Sequence, residues 1–161
     1  MKIDYNGLIS LSLSQHTKNV LNNDNSETLT YYIDNTQGWI YLDKYEYING
    51  NYNVNKNNIR LFNLGHSDFE KNFINQIFDK LDPLIDLDFE NLSHNNGSDI
   101  DIYSIKVSSN MADDALGSAM TQTSEIGSWW DIFWKNTDGN SNLNANDKNT
   151  LVHEIGHVLG L

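Results

Sequence analysis

Thr150-Leu-Val-His-Glu-Ile-Gly-His-Val-Leu-Gly-Leu161 is the stretch on which the reading of this chain turns. It contains His153-Glu154-x-x-His157. On a helix, positions i and i+4 lie one above the other on the same face. His153 and His157 can therefore offer two imidazole nitrogens to one metal ion. Glu154 follows about 100° round the axis, at ~3.6 residues per turn, beside the metal rather than on it. There it can take a proton from a water activated by the metal, which is the general-base role in zinc hydrolysis. A motif of three fixed residues also recurs by chance. Here Leu151, Val152, Ile155, Val158 and Leu159 give it the apolar flanks of a buried helix. Ionisable groups in such a helix are costly unless paired or metal-bound, so the zinc site is the favoured reading.

With Gly160 included, His153-Glu-Ile-Gly-His-Val-Leu-Gly160-Leu resembles the metzincin zinc endopeptidases, most closely the serralysin-like branch. The longer pattern of that family is H-E-x-x-H-x-x-G-x-x-H. The resemblance implies a structural turn at Gly160, where glycine lets the chain leave the helix with positive φ. It also implies a third His, two residues beyond Leu161. On this reading the 161 residues are the N-terminal portion of a catalytic domain. His153 and His157 are metal ligands for Zn2+, and Glu154 is the catalytic base.

The fold implied is α+β and zincin-like: a twisted mixed sheet of about five strands, a backing helix and a C-terminal active-site helix. Residues 1–27, polar and rich in Asn and Ser, read as an N-terminal arm, and 28–161 as the incomplete catalytic domain. Thr28–Ile33 is β-branched and aromatic, a first strand. Trp39–Ile48 and Tyr52–Phe62 flank Asn49-Gly50, a hairpin turn signal. Because the family passes quickly from first strand to first helix, residues 36–65 read as an insertion. Ser67 and Glu70 form a capping box ahead of a stripe of Phe69, Phe73, Ile74, Ile77, Phe78 and Leu81, which marks an amphipathic helix. Asp86–Glu90 and Asp99–Val107 read as strands.

Ala115–Gln122 resembles the metzincin edge strand that pairs with extended substrate. Gly117, Ser118, Ala119 and Met120 are its candidate substrate-binding residues, since small side chains let another backbone approach. An ordinary loop with a short edge strand is the competing reading. Gly127–Trp134 resembles the aromatic strand before the active-site helix, and Asn144 or Asn146 is the expected N-cap of that helix.

Calcium is the second candidate cation. Asp138–Asp147 resembles the start of an EF-hand loop, but Leu143 stands where its glycine belongs and Asn149 where its bidentate Glu belongs. Asp86, Asp88, Asp99 and Asp101 are expected to be strand-edge carboxylates facing water. His16, His66 and His94 lack metal-ligand spacing and are expected at the surface.

The net charge of −12 argues against nucleic acid and anionic membrane surfaces as partners. No stretch approaches the ~20 apolar residues of a membrane span, and the N-terminus has no apolar run fit for a signal peptide. The absence of cysteine excludes disulfides and thiolate chemistry. The partners implied are protein or peptide substrates of a monomeric, extracellular protease. Two other readings stay open: a non-catalytic peptide-binding module, and a zincin of another class with a distant Glu ligand. With two His ligands, residues 1–161 alone are expected to bind zinc weakly and to show little or no proteolysis.

Overall fold

The computed structural model describes residues 11–23, 26–137 and 143–160. Its centre is β5 (Ile100–Ser108), the Asp-Ile strand of the sequence. On one side β5 pairs in parallel with β7 (Gly127–Lys135), in the register Ile100↔Trp130 to Ile105↔Lys135. On the other it pairs in parallel with β1 (Thr28–Ile33), which in turn carries β4 (Asp88–Asn91). β6 (Gly117–Ser124) closes the β7 side as an antiparallel edge strand. The sheet is thus mixed, and its spatial order β4-β1-β5-β7-β6 follows from these pairings.

Among the described residues the sheet has seven strands rather than about five. The two additional ones are β2 (Gly38–Ile48) and β3 (Asn51–Asn63), the hairpin read from Asn49-Gly50. Asn49 and Gly50 have φ of 53° and 82°, the double positive-φ turn that matches the twist of the flanking strands. The end of β3 pairs with the far end of β5, at Leu61↔Ser108 and Phe62↔Val107.

Alternation along the strands divides the interior in two. One sheet face carries Leu29, Tyr31, Ile100, Ile102, Trp130, Ile132 and Trp134. Against it lie α1 (Leu11–Leu21), α2 (Asp68–Leu81) and α3 (Ala145–Leu159), through Val20, Ile74, Phe78, Leu151, Ile155 and Val158. The other face carries Tyr103, Ile105 and Phe133, covered by Ile59 and Leu61 of the hairpin. Both faces are buried, which explains why Ser128-Trp-Trp-Asp-Ile-Phe-Trp134 reads as a near-continuous apolar run.

α2 has the expected capping box: Ser67 accepts from the Glu70 amide, and Glu70 accepts from the Ser67 amide. Its stripe is narrower than expected, because Phe69 is exposed. The N-terminal arm carries a helix that the sequence reading did not include. Residues 11–21 are helical, and Thr17 Oγ1 donates to the Val158 carbonyl of α3 at 2.8 Å.

Two histidines expected at the surface are in the core. His16 packs edge-on against Trp130, and its Nε2 lies 2.9 Å from the Trp129 carbonyl. His66 Nδ1 lies 2.7 Å from the Asp34 carbonyl, and its Nε2 accepts from the Trp134 indole at 3.1 Å. Burial pushes the His66 ring down to about 4, so it is neutral. His94 is exposed, as expected.

Candidate metal centre

α3 begins where the sequence supplies a cap. The Asn144 side chain accepts from the Asp147 amide at 3.0 Å, and the Asp147 carboxylate accepts from the Asn144 amide. The pair satisfies two of the amides that a helix start leaves open. At the other end Gly160 is left-handed, with φ 74° and ψ 31°, and its amide donates to Gly156 and His157. A side chain there would be strained. Between these caps, Leu151, Ile155 and Val158 are buried against the sheet, which turns His153 and His157 to the opposite side.

The two imidazoles meet edge to face, with ring centroids 4.4 Å apart and Nε2 atoms 2.9 Å apart. His153 is exposed and His157 half-buried. Burial, and then the His153 ring, hold His157 below its ordinary value. Two nitrogens converging in this way suit one zinc ion, for which neutral imidazole is a preferred donor. The same separation allows an N–H···N hydrogen bond between the rings. Among the described residues no group of three or more His, Cys, Asp or Glu is placed to hold a metal. The pair therefore fits two positions of a zinc site.

Glu154 is turned inward, 6 % exposed, beneath the start of β6. Burial pushes its carboxyl above the ordinary value, while the His153 ring and a hydrogen bond from the Ala119 main-chain N–H pull the other way. Gly117 makes this position available. A Cβ on Gly117 would stand 2.5 Å from Glu154 Oε1 and 2.6 Å from Thr150 Cγ2.

The orientation of β6 follows from its ladder. Leu116 accepts from the Lys135 amide, and residue pairs in an antiparallel ladder alternate between bonded and non-bonded. Ser118 and Met120 therefore bond to β7, while Gly117, Ala119 and Thr121 turn their main-chain groups outward. The four candidate substrate residues separate accordingly. Gly117 and Ala119 border α3, whereas the Met120 side chain packs into the second cluster, away from the helix. Beside the His pair lies an open cleft of about 410 Å³ between residues 115–117 and the first turns of α3. Asn149 and Thr150 line it, a place the sequence reading gave to neither. Helical spacing could have found them, since they stand four residues before His153 and Glu154.

Among the described residues the other cation candidates do not assemble. Asp86 and Asp88 are exposed, but Asp101 is not, contrary to expectation. It accepts from Ser98 and Asn95, and burial pushes it up to about 6. Residues 138–142 of the EF-hand-like stretch lie outside the described residues, and Leu143 is buried in the core.

No family model, curated protein or solved structure matches this chain. Among the described residues, no helix is long and apolar enough to cross a membrane.

Proposed function

We propose that the chain is the core of a zinc-dependent endopeptidase of the metzincin, serralysin-like kind, with a zincin-like fold. The observation that carries this reading is the meeting of three groups at one end of β6. These are the converging His153 and His157 nitrogens, the buried Glu154 carboxylate, and an outward-facing edge strand. The helix α2 behind the sheet and α3 beneath its edge strand are in keeping with the same reading.

His153 and His157 would hold the ion. Zinc bound there would supply Lewis-acid polarisation of a peptide carbonyl and acidify water to a useful pKa. Glu154 would take a proton from the attacking water and deliver it to the leaving amine. Its raised affinity for protons suits a base that must also act as an acid. The outward amides and carbonyls of Gly117 and Ala119 dock an extended peptide by strand addition. Substrates are then flexible or unfolded protein segments, met by a monomer in an extracellular setting.

The test is cleavage of casein by the 161-residue chain with excess zinc. Zinc uptake with at most slow, zinc-dependent cleavage that disappears in Glu154→Gln is the expected result. Cleavage that survives in Glu154→Gln, or no zinc uptake at all, would overturn the proposal.

A further inference from the structure

The tip of the β2–β3 hairpin, the β6–β7 turn and the end of α1 close on a second cleft, of about 530 Å³. It shares no residue with the cleft beside the His pair. Its walls are held by bonds of their own. On the α1 side, the Asn23 carboxamide grips β7 at Ser128, donating to the carbonyl at 2.6 Å and accepting from the amide at 3.1 Å. Gly127 makes that approach possible, since a Cβ there would stand 2.8 Å from Asn23 Oδ1. On the hairpin side, the register of β2 slips between Leu42 and Lys44. The buried Gln122 side chain of β6 uses that irregularity. It accepts from the Tyr45 amide at 2.8 Å and donates to the Asp43 carbonyl at 3.3 Å. The Tyr45 ring lies against Trp129, with centroids 5.2 Å apart. A two-stranded tip is marginal by itself, and these contacts fix it to the sheet.

The groups that line this fixed cleft are left without partners. Tyr47 and Tyr52, both half-exposed, pair with ring centroids 4.8 Å apart and planes tilted by 51°. Among the described residues neither hydroxyl has a hydrogen-bond partner, and the Glu125 carboxylate and the Asn19 amide nitrogen have none either. No Lys or Arg lines the cleft. An anion would therefore meet no cation there, on a chain of net charge −12. An apolar ligand would bury a carboxylate, an amide and two hydroxyls unpaired. A small organic cation would use the rings and the carboxylate but leave the amide and hydroxyls idle. A sugar answers every group. The C–H face of a pyranose covers an aromatic ring, and its hydroxyls donate to a carboxylate and accept from an amide. We propose that this cleft binds a neutral oligosaccharide, with Tyr47 and Tyr52 as the stacking platform and Glu125 and Asn19 as partners of the sugar hydroxyls. Its volume is that of a small-ligand site. Such a site is independent of the zinc chemistry proposed above.

The test is titration of the ¹⁵N-labelled 161-residue chain, metal-free in chelator, with cellotetraose and with chitotetraose. Both are built from all-equatorial rings, which present flat C–H faces. At least one should give saturable shifts in the amides of Tyr47, Tyr52 and residues 123–128. Tyr52→Ala should weaken that binding on the order of tenfold. Tyr52→Phe keeps the ring and should lose about threefold. The carboxylated counterpart of cellotetraose should bind at least about tenfold more weakly than the neutral sugar. No saturable shift with either neutral sugar would overturn the proposal, as would shifts confined to other residues, equal affinity in Tyr52→Ala, or equal binding of the carboxylated sugar. Tetramethylammonium bound at the same amides in place of the sugars would also overturn it, and assign the rings to an organic cation. Should Tyr52→Ala fail to fold, the wild-type shifts and Tyr52→Phe decide. Neither zinc nor hydrolysis enters the readout.

Discussion

A methyl group on Gly117 would lie 2.5 Å from Oε1 of Glu154. The glycine is there for space, not for an unusual backbone angle, and the same methyl would meet Thr150 Cγ2 at 2.6 Å. Thr150 is β-branched and stiff, so the Glu154 side chain must give way. Gly117→Ala is expected to cost about 1–2 kcal/mol of stability by overpacking and to move the carboxylate out of the space it fills under residue 117. Chemical denaturation measures the first effect. For the second, casein cleavage should fall by at least tenfold while zinc binding is retained.

Asp131 gives the fold a pH dependence with a definite sign. It is fully buried beside Gln122, which donates to it at 2.6 Å, and burial pushes it up to about 7 from its ordinary 3.8. Between those values the native state holds more protons than the unfolded chain, so stability falls as pH rises through this window. Above about 7 the loss is complete, on the order of 4 kcal/mol. His66 opposes it. With a folded value of about 4 against 6.5, it makes stability rise with pH over that lower range. Asp131→Asn should therefore gain on the wild type progressively from pH 4 to 7 and hold a constant lead above. Urea melts at half-unit pH steps would check this, and a pH-independent difference would count against it.

The start of α3 should be fragile at one residue. Asn144→Ala removes the acceptor of the Asp147 amide and the donor to Thr137 Oγ1, while the Asp147 carboxylate, 1 % exposed, keeps the Asn144 main-chain N–H and the Thr137 hydroxyl. A loss of about 1 kcal/mol is expected, with faster exchange at the first-turn amides of α3. Asn144→Asp should recover most of it, because Asp is as good a cap and its charge suits the helix start.

Local chemistry was the legible part of this fold. The Ser67–Glu70 box, the Asn49-Gly50 turn and the Gly160 cap each act within about four residues, and each is where the sequence puts it. The His153–His157 pairing was legible for the same reason, being set by helical spacing alone. What escaped depends on distant partners. α1 has a sparse apolar pattern and is held by Thr17 to Val158 and His16 to the Trp129 carbonyl. His66 is buried because Trp134 and the Asp34 carbonyl occupy both its nitrogens. Asp101 is buried because Ser98 and Asn95 satisfy it. The fit of Glu154 under Gly117 joins residues on separate elements and has no signature in either one's neighbours.

The account stands on two imidazoles that share one ion, and zinc titration of the 161-residue chain by calorimetry measures that directly. One zinc per chain is expected, with weak affinity from two protein ligands. Binding should be lost in His153→Ala and in His157→Ala and kept in Glu154→Gln. Unchanged zinc uptake in both His variants, or none in the wild type, would contradict it.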